Sequence, residues 1–205
     1  MTDSDEKNGK TSQKSKDSEF EQTIELESPV SSEPDQTPNR PTNLRAERHK
    51  MRFLIRPYRD SDFERFFELH REMVHSEFDP HGLLNPGEFE ERLLRTLERF
   101  GFPSDDNMIF VAETPNHEYA GHIWFAQKRQ TFNGKPEARI YDVSVRPRFQ
   151  SMGLGNALLQ KAEEFARDLG IPQATLHLFT PNPTARRLFE TRGFRIASLK
   201  FSKPL

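Results

Sequence analysis

The chain has 205 residues, no cysteine and a formal net charge of −2, with a pI near 6.4. That length suits one domain with a sizeable core plus a tail. The missing cysteine excludes disulfides, thiolate chemistry and cysteine-based zinc or iron–sulfur sites, and the charge argues against a dedicated nucleic-acid binder.

No run approaches the roughly 18 apolar residues of a membrane span, and the N-terminus lacks the apolar segment of a secretory signal, so a soluble, cytoplasmic protein without a membrane partner is expected. Residues 1–50 are rich in Ser, Lys, Glu and Pro and hold too little apolar surface to offset ordering entropy. They are predicted as a disordered tail in which only residues 23–26 have a tendency to pair. Patterning changes at Met51, which opens the folded part and is also a candidate translation start. "MRFLIRPYR" reads as a strand, and Asp60 or Ser61 is positioned to cap the helix after it. There Phe63, Phe66, Phe67, His70, Met73, Val74 and Phe78 form one apolar face, with His70 as a packing residue. "DPHGLLNPG" breaks this helix, and a second one aligns Phe89, Leu93, Leu97 and Phe100.

Strands are predicted over 107–113, 119–132 and 138–146, the last two joined at Asn133-Gly134. A helix from Leu154 to Leu169 stops at Gly170, and a strand (174–179), a short helix (182–194) and a last strand (195–201) follow. This order predicts an α/β domain over 51–205. Its mixed sheet has a central antiparallel meander and a parallel strand–helix–strand crossover, flanked by helices.

The most informative stretch is "VSVRPRFQSMGLGNALL", residues 143–159. Gly153 and Gly155 let backbone amides from Gln150 onward converge on an anion, aided by the positive end of the helix that begins there. A purely structural turn satisfies the same spacing. A dinucleotide fingerprint fails because residue 158 is Leu, and a triphosphate loop fails because residues 155–157 are Gly-Asn-Ala.

This stretch resembles the signature of the GNAT superfamily of acetyl-CoA-dependent N-acyltransferases: a strand ending in Val, a linker, and Gln/Arg-x-x-Gly-x-Gly/Ala opening a helix. Gln150, Gly153 and Gly155 occupy its defining positions. A second block, "NPTARRLFETRGF", is similar to the family's Asn-x-x-Ala-x-x-Leu-Tyr-Glu-x-x-Gly-Phe, with Asn182, Ala185, Leu188, Glu190, Gly193 and Phe194 in register. The resemblance implies a GNAT-like fold and acetyl transfer from acetyl-CoA, with no metal, to a primary amine of a small molecule or protein by direct attack in a ternary complex. It implies that backbone groups of Val143 and Val145 pair with the pantetheine arm. Amides of Gln150, Ser151, Met152, Gly153, Leu154 and Gly155 would hold the pyrophosphate, with Asn156 one helical turn on. Asn182 would lie near the pantetheine or thioester, besides capping its own helix, and Phe189 beside the sulfur. A homodimer is compatible with the family.

Many family members carry Tyr at the position of Phe189, suited to protonating the departing thiolate. Here the thiolate leaves unassisted, through water, or with another donor such as Tyr141. The lost hydroxyl also leaves open a non-catalytic acyl-CoA-binding sensor. Direct transfer needs a proton acceptor for the ammonium. Asp142 is the first candidate and Glu137 the second; the structural alternative for Asp142 is an ion pair with Arg139. Alternation puts Tyr141, Val143 and Val145 on one face and Ile140, Asp142 and Ser144 on the other, unless a bulge intervenes. His75 and His81 flank the expected acceptor pocket or are merely solvated, and Trp124 is core or pocket wall. Arg186 and Arg187 either reach the phosphates or lie on an exposed helix face.

Overall fold

The computed structural model describes residues 20–28, 50–78, 85–100, 102, 107–130, 133–178, 182–198 and 203. Six strands form one sheet in chain order: β1 (Gln22–Glu27), β2 (Lys50–Pro57), β3 (Asn107–Glu113), β4 (Tyr119–Arg129), β5 (Pro136–Val145) and β6 (Ala174–Leu176). Neighbours from β1 to β5 pair antiparallel, whereas β6 runs parallel to β5. Helices α1 (Phe63–Phe78) and α2 (Pro86–Arg99) precede β3, α3 (Leu154–Asp168) is the crossover between β5 and β6, and α4 (Pro183–Thr191) follows. The predicted α/β architecture is borne out. No helix among the described residues is long and apolar enough to cross a membrane.

Two apolar clusters, one on each sheet face, explain why the central strands are apolar throughout rather than alternating. Phe110, Ile123, Phe125, Ala138 and Ile140 pack with Leu154, Leu158, Leu159 and Ala162 of α3. Val111 and Trp124 face the other way, toward Phe66 of α1 and Leu93 and Leu97 of α2. Phe66 is fully buried, its ring 4.7 Å from His122, 5.1 Å from Phe102 and 6.1 Å from Trp124.

The start of α1 is fixed by buried charge. Asp62, rather than the predicted Asp60 or Ser61, makes the cap: its carboxylate accepts the Arg59 backbone N–H at 2.9 Å. The reason is Arg56, whose guanidinium donates to both Asp62 oxygens at 2.7 and 3.0 Å and to Glu113 at 2.8 Å. This fork ties β2, β3 and α1 together.

Three expectations change. Residues 22–27, assigned to the tail by composition, form β1: Ile24 and Leu26 alternate with Thr23, Glu25 and Glu27, and the apolar pair joins the α3-side core along with Phe20. Composition averaged over fifty residues hid this short period-two pattern. Residues 195–198 are not in a strand, and the rest of that predicted element lies outside the described residues, as do 79–84, 131–132 and 179–181. Phe100, grouped with Leu97 on one helix side, is 38% exposed, yet its ring stacks 4.7 Å from Tyr141 and lies 6.0 Å from Trp124.

Burial raises the carboxyls of Asp62 and Glu113, but hydrogen bonds and attraction from Arg56 outweigh it and hold both below their ordinary values. Groups lowered in this way add stability above the unfolded values, 3.8 and 4.5, and lose it as pH falls through the folded ones. Asp62→Ala should therefore cost about 3 kcal/mol at neutral pH by urea denaturation, because it removes one of the two carboxylates that pair the buried guanidinium and leaves Glu113. The variant should also lose less stability than wild type between about pH 5 and pH 2.

Candidate active site

β5 and β6 pair only from Ala138↔Ala174 to Ile140↔Leu176 and then part. Between them lies a cleft of about 360 Å³, lined by β5 from Ile140 to Val145, by Leu69, Glu72, Met73 and Ser76 of α1, and by His177, Asn182 and Phe189 on the far wall. At the same point β5 carries a bulge: Trp124 faces Asp142 and Phe125 faces Ile140, so Tyr141 has no partner on β4. The extra residue reverses the alternation beyond it. Ile140, Val143 and Val145 consequently share the α3 side, while Tyr141 packs on Trp124 and Asp142 meets α1. This corrects the simple alternation, which grouped Tyr141 with the valines and Ile140 with Asp142.

Asp142 is a buried hydrogen-bond centre, its side chain 1% exposed. It accepts from His70 Nδ1 at 2.6 Å, His122 Nε2 at 2.8 Å and Ser144 Oγ at 2.6 Å. Tyr119 extends the chain, its hydroxyl 2.9 Å from His122 Nδ1 and donating when His122 carries its hydrogen on Nε2. Burial alone would raise the Asp142 carboxyl. Attraction and hydrogen bonds from His122 and His70 prevail and hold it well below the usual range. Burial, with the Asp142 charge, pushes the Tyr119 phenol far upward.

Among the described residues, His70, His122 and Asp142 also form a group whose donor atoms lie within 4.8 Å of one another. Donors at roughly 2.1 Å around a tetrahedral zinc stand roughly 3.4 Å apart. Spacings of 2.6 and 2.8 Å are those of shared hydrogens instead.

On the other side of β5, Gly153 immediately precedes α3 with φ +90°, a conformation that disfavours any side chain, and nothing nearer than Leu26 at 3.9 Å would meet a Cβ there. The case of Gly155 is steric: a Cβ would lie 3.3 Å from Leu188 of α4. The two glycines thus bring the first turn of α3, with its unpaired amides, close to α4. Asn182 caps α4 by accepting the Ala185 N–H at 3.0 Å, and Phe189 packs edge-on against Phe194. Asn156 and Arg187 line a groove between the two helix starts, whereas Arg186 pairs with Glu190 along its own helix.

The model of the Acetyltransferase (GNAT) family matches residues 47–194. The chain belongs to the GNAT family. It is 30% identical over 103 residues to the uncharacterized N-acetyltransferase YycN of Bacillus subtilis, a match spanning 45% of this chain and 65% of that one. It is 32% identical over 93 residues to the mycothiol acetyltransferase of Nocardiopsis dassonvillei, covering 44% of this chain but only 28% of that protein. A solved structure from Pyrococcus furiosus, described as a candidate acetyl transferase, superposes with a TM-score of 0.67 at 29% identity, over 75% of this chain and 99% of its own.

In this GNAT domain the residues expected from sequence sort into groups. Tyr141, Asp142, Val143, Val145, Gln150, Asn182 and Phe189 all line the cleft. Ser151, Met152, Gly153, Leu154 and Gly155 form the turn into α3, where Leu154 also buries its side chain in the core. Glu137 is not among the residues lining the cleft, and Arg139 pairs with Glu137 rather than with Asp142. His70 is a packing residue, stacked 5.6 Å from Phe66, but also an Asp142 ligand. His75 rests edge-on against Phe89, and His81 lies outside the described residues. Trp124 is core, and its Nε1 donates to Asn107. Sequence reasoning passed over His122, Ser144, Glu72 and His177. A histidine inside the otherwise apolar "YAGHIWFA" was the available signal for His122.

Asp142→Asn places an amide where three hydrogens converge, so at least one donor loses its acceptor. We expect a loss of about 3 kcal/mol in urea denaturation, whatever happens to activity.

Proposed function

We propose that this domain transfers an acetyl group from acetyl-CoA to a primary amine by direct attack within a ternary complex. The observation that carries the proposal is the open edge of β5 beyond Ile140, adjoining the glycine turn at the start of α3. An extended amide-bearing arm can add to that edge as a strand would. Val145 O currently accepts Gln150 Nε2 at 2.9 Å, so that side-chain amide yields to the arm or joins it. Amides from Gln150 to Gly155 then hold the pyrophosphate at the positive helix end, with Asn156 alongside. Arg187, sharing the groove with Asn156, supplies a cation for a further phosphate.

In the reaction the neutral amine forms a bond to the acetyl carbon as the carbon–sulfur bond breaks, the nitrogen loses a proton and the thiolate gains one. Phe189 offers no proton. Tyr141 lines the same cleft, and burial raises its phenol, which keeps the hydrogen in place to be donated. A thiol with a pKa near about 8.5 also leaves without strict need of an acid. The Asp142 carboxylate is too enclosed to meet an amine itself and acts through Ser144, the cleft residue whose hydroxyl it holds.

Isothermal titration should show acetyl-CoA binding well below millimolar concentration, and Gly153→Val should abolish it by straining the turn. An unaltered affinity in that variant would refute the turn as the pyrophosphate site. Phe189 is also the feature that favours a second reading, a non-catalytic acyl-CoA sensor. Coenzyme binding without thiol release across a broad amine panel would establish that reading instead.

A further inference from the structure

β5 divides the cleft into two halves. Val143 and Val145 face the α3 side, where the coenzyme would lie. Leu69, Glu72, Met73 and Ser76, at positions i, i+3, i+4 and i+7 of α1, face Tyr141 and Ser144 across the other half. Glu72 is exposed, and no ion pair or hydrogen bond joins its side chain to any described residue. Among the described residues no lysine or arginine lines the cleft. The flanking arginines are already engaged: Arg71 with Glu90, Arg139 with Glu137 and Arg146 with Glu68. A carboxylate or phosphate on the acceptor would therefore find no counter-charge there, whereas an ammonium would find Glu72 unopposed.

We infer that this half of the cleft selects a cationic amine with no carboxylate beside it, and that Glu72 holds its positive charge. Zwitterionic α-amino acids are disfavoured, and aliphatic diamines fit, one nitrogen staying as the ammonium at Glu72 while the other, neutral, attacks. The inference rests on the transferase reading above and adds the acceptor class to it. Glu72 is a specificity residue here and Asp142 a positioning one.

The test compares 1,4-diaminobutane with ornithine, the same diamine bearing one carboxylate, using full-length protein, thiol release and calorimetry in the presence of coenzyme A. Diaminobutane should show a KM about ten-fold lower than ornithine, rising with salt, since one charge-assisted contact is worth about a factor of ten or more. Glu72→Gln should raise the diaminobutane KM about ten-fold, bring the two probes together, and leave acetyl-CoA affinity unchanged. Glu64→Gln, an exposed acid of α1 outside the cleft lining, should change neither probe. Equal or better use of ornithine, an unmoved KM in Glu72→Gln, or no diamine binding overturns the inference. In each of these cases retained acetyl-CoA binding and thiol release with another amine leave the transferase reading standing. Failure of acetyl-CoA itself to bind overturns both.

Discussion

One unpaired residue in β5 organises the rest of the molecule. A strand paired on both edges, with strict alternation, would send Tyr141 and Asp142 to opposite faces and leave no gap for a ligand. The bulge at Tyr141 instead directs both toward α1, returns Val143 and Val145 to the α3 core, and coincides with the end of pairing to β6. The added local twist of a bulge accounts for why the two strands part where they do. The cleft and the open edge of β5 both follow from that one irregularity.

Keeping the cleft in shape requires α1 to stay registered on the sheet, and two buried polar centres do this. At the start of α1 Asp62 takes the Arg56 fork, and near its middle His70 reaches Asp142. Between them Phe66 packs against His122, Trp124 and Phe102. Apolar packing sets the distance of helix from sheet without choosing among small slides, whereas directional hydrogen bonds to buried carboxylates tolerate almost none. The stripe from Leu69 to Ser76 is thereby held opposite β5. Asp142 thus ties Ser144 and α1 to one buried carboxylate.

Legibility from sequence tracked the range of the interaction. Both glycine-turn residues, the Asn182 cap, β3, and the starts and ends of α3 followed from local pattern and were found where expected. The bulge was anticipated only as an exception, because nothing in "ARIYDVSVR" says which residue loses its partner; that depends on β4. β1 was missed because Ile24 and Leu26 have meaning only once α3 offers them a surface.

The amino-acid sequence by itself determined the order of elements from β2 to α4, the glycine turn before α3 and the family, since these rest on residues close in the chain acting through backbone geometry and periodicity. Tertiary structure alone decided what surrounds Asp142 and which acid lines the cleft beside it. His70, His122 and Ser144 reach Asp142 from separations of 72, 20 and 2 residues. Glu72 stands out only once the arginines near it are seen to be paired elsewhere. Burial and charge pairing are properties of neighbours in space, and no spacing along the chain encodes them.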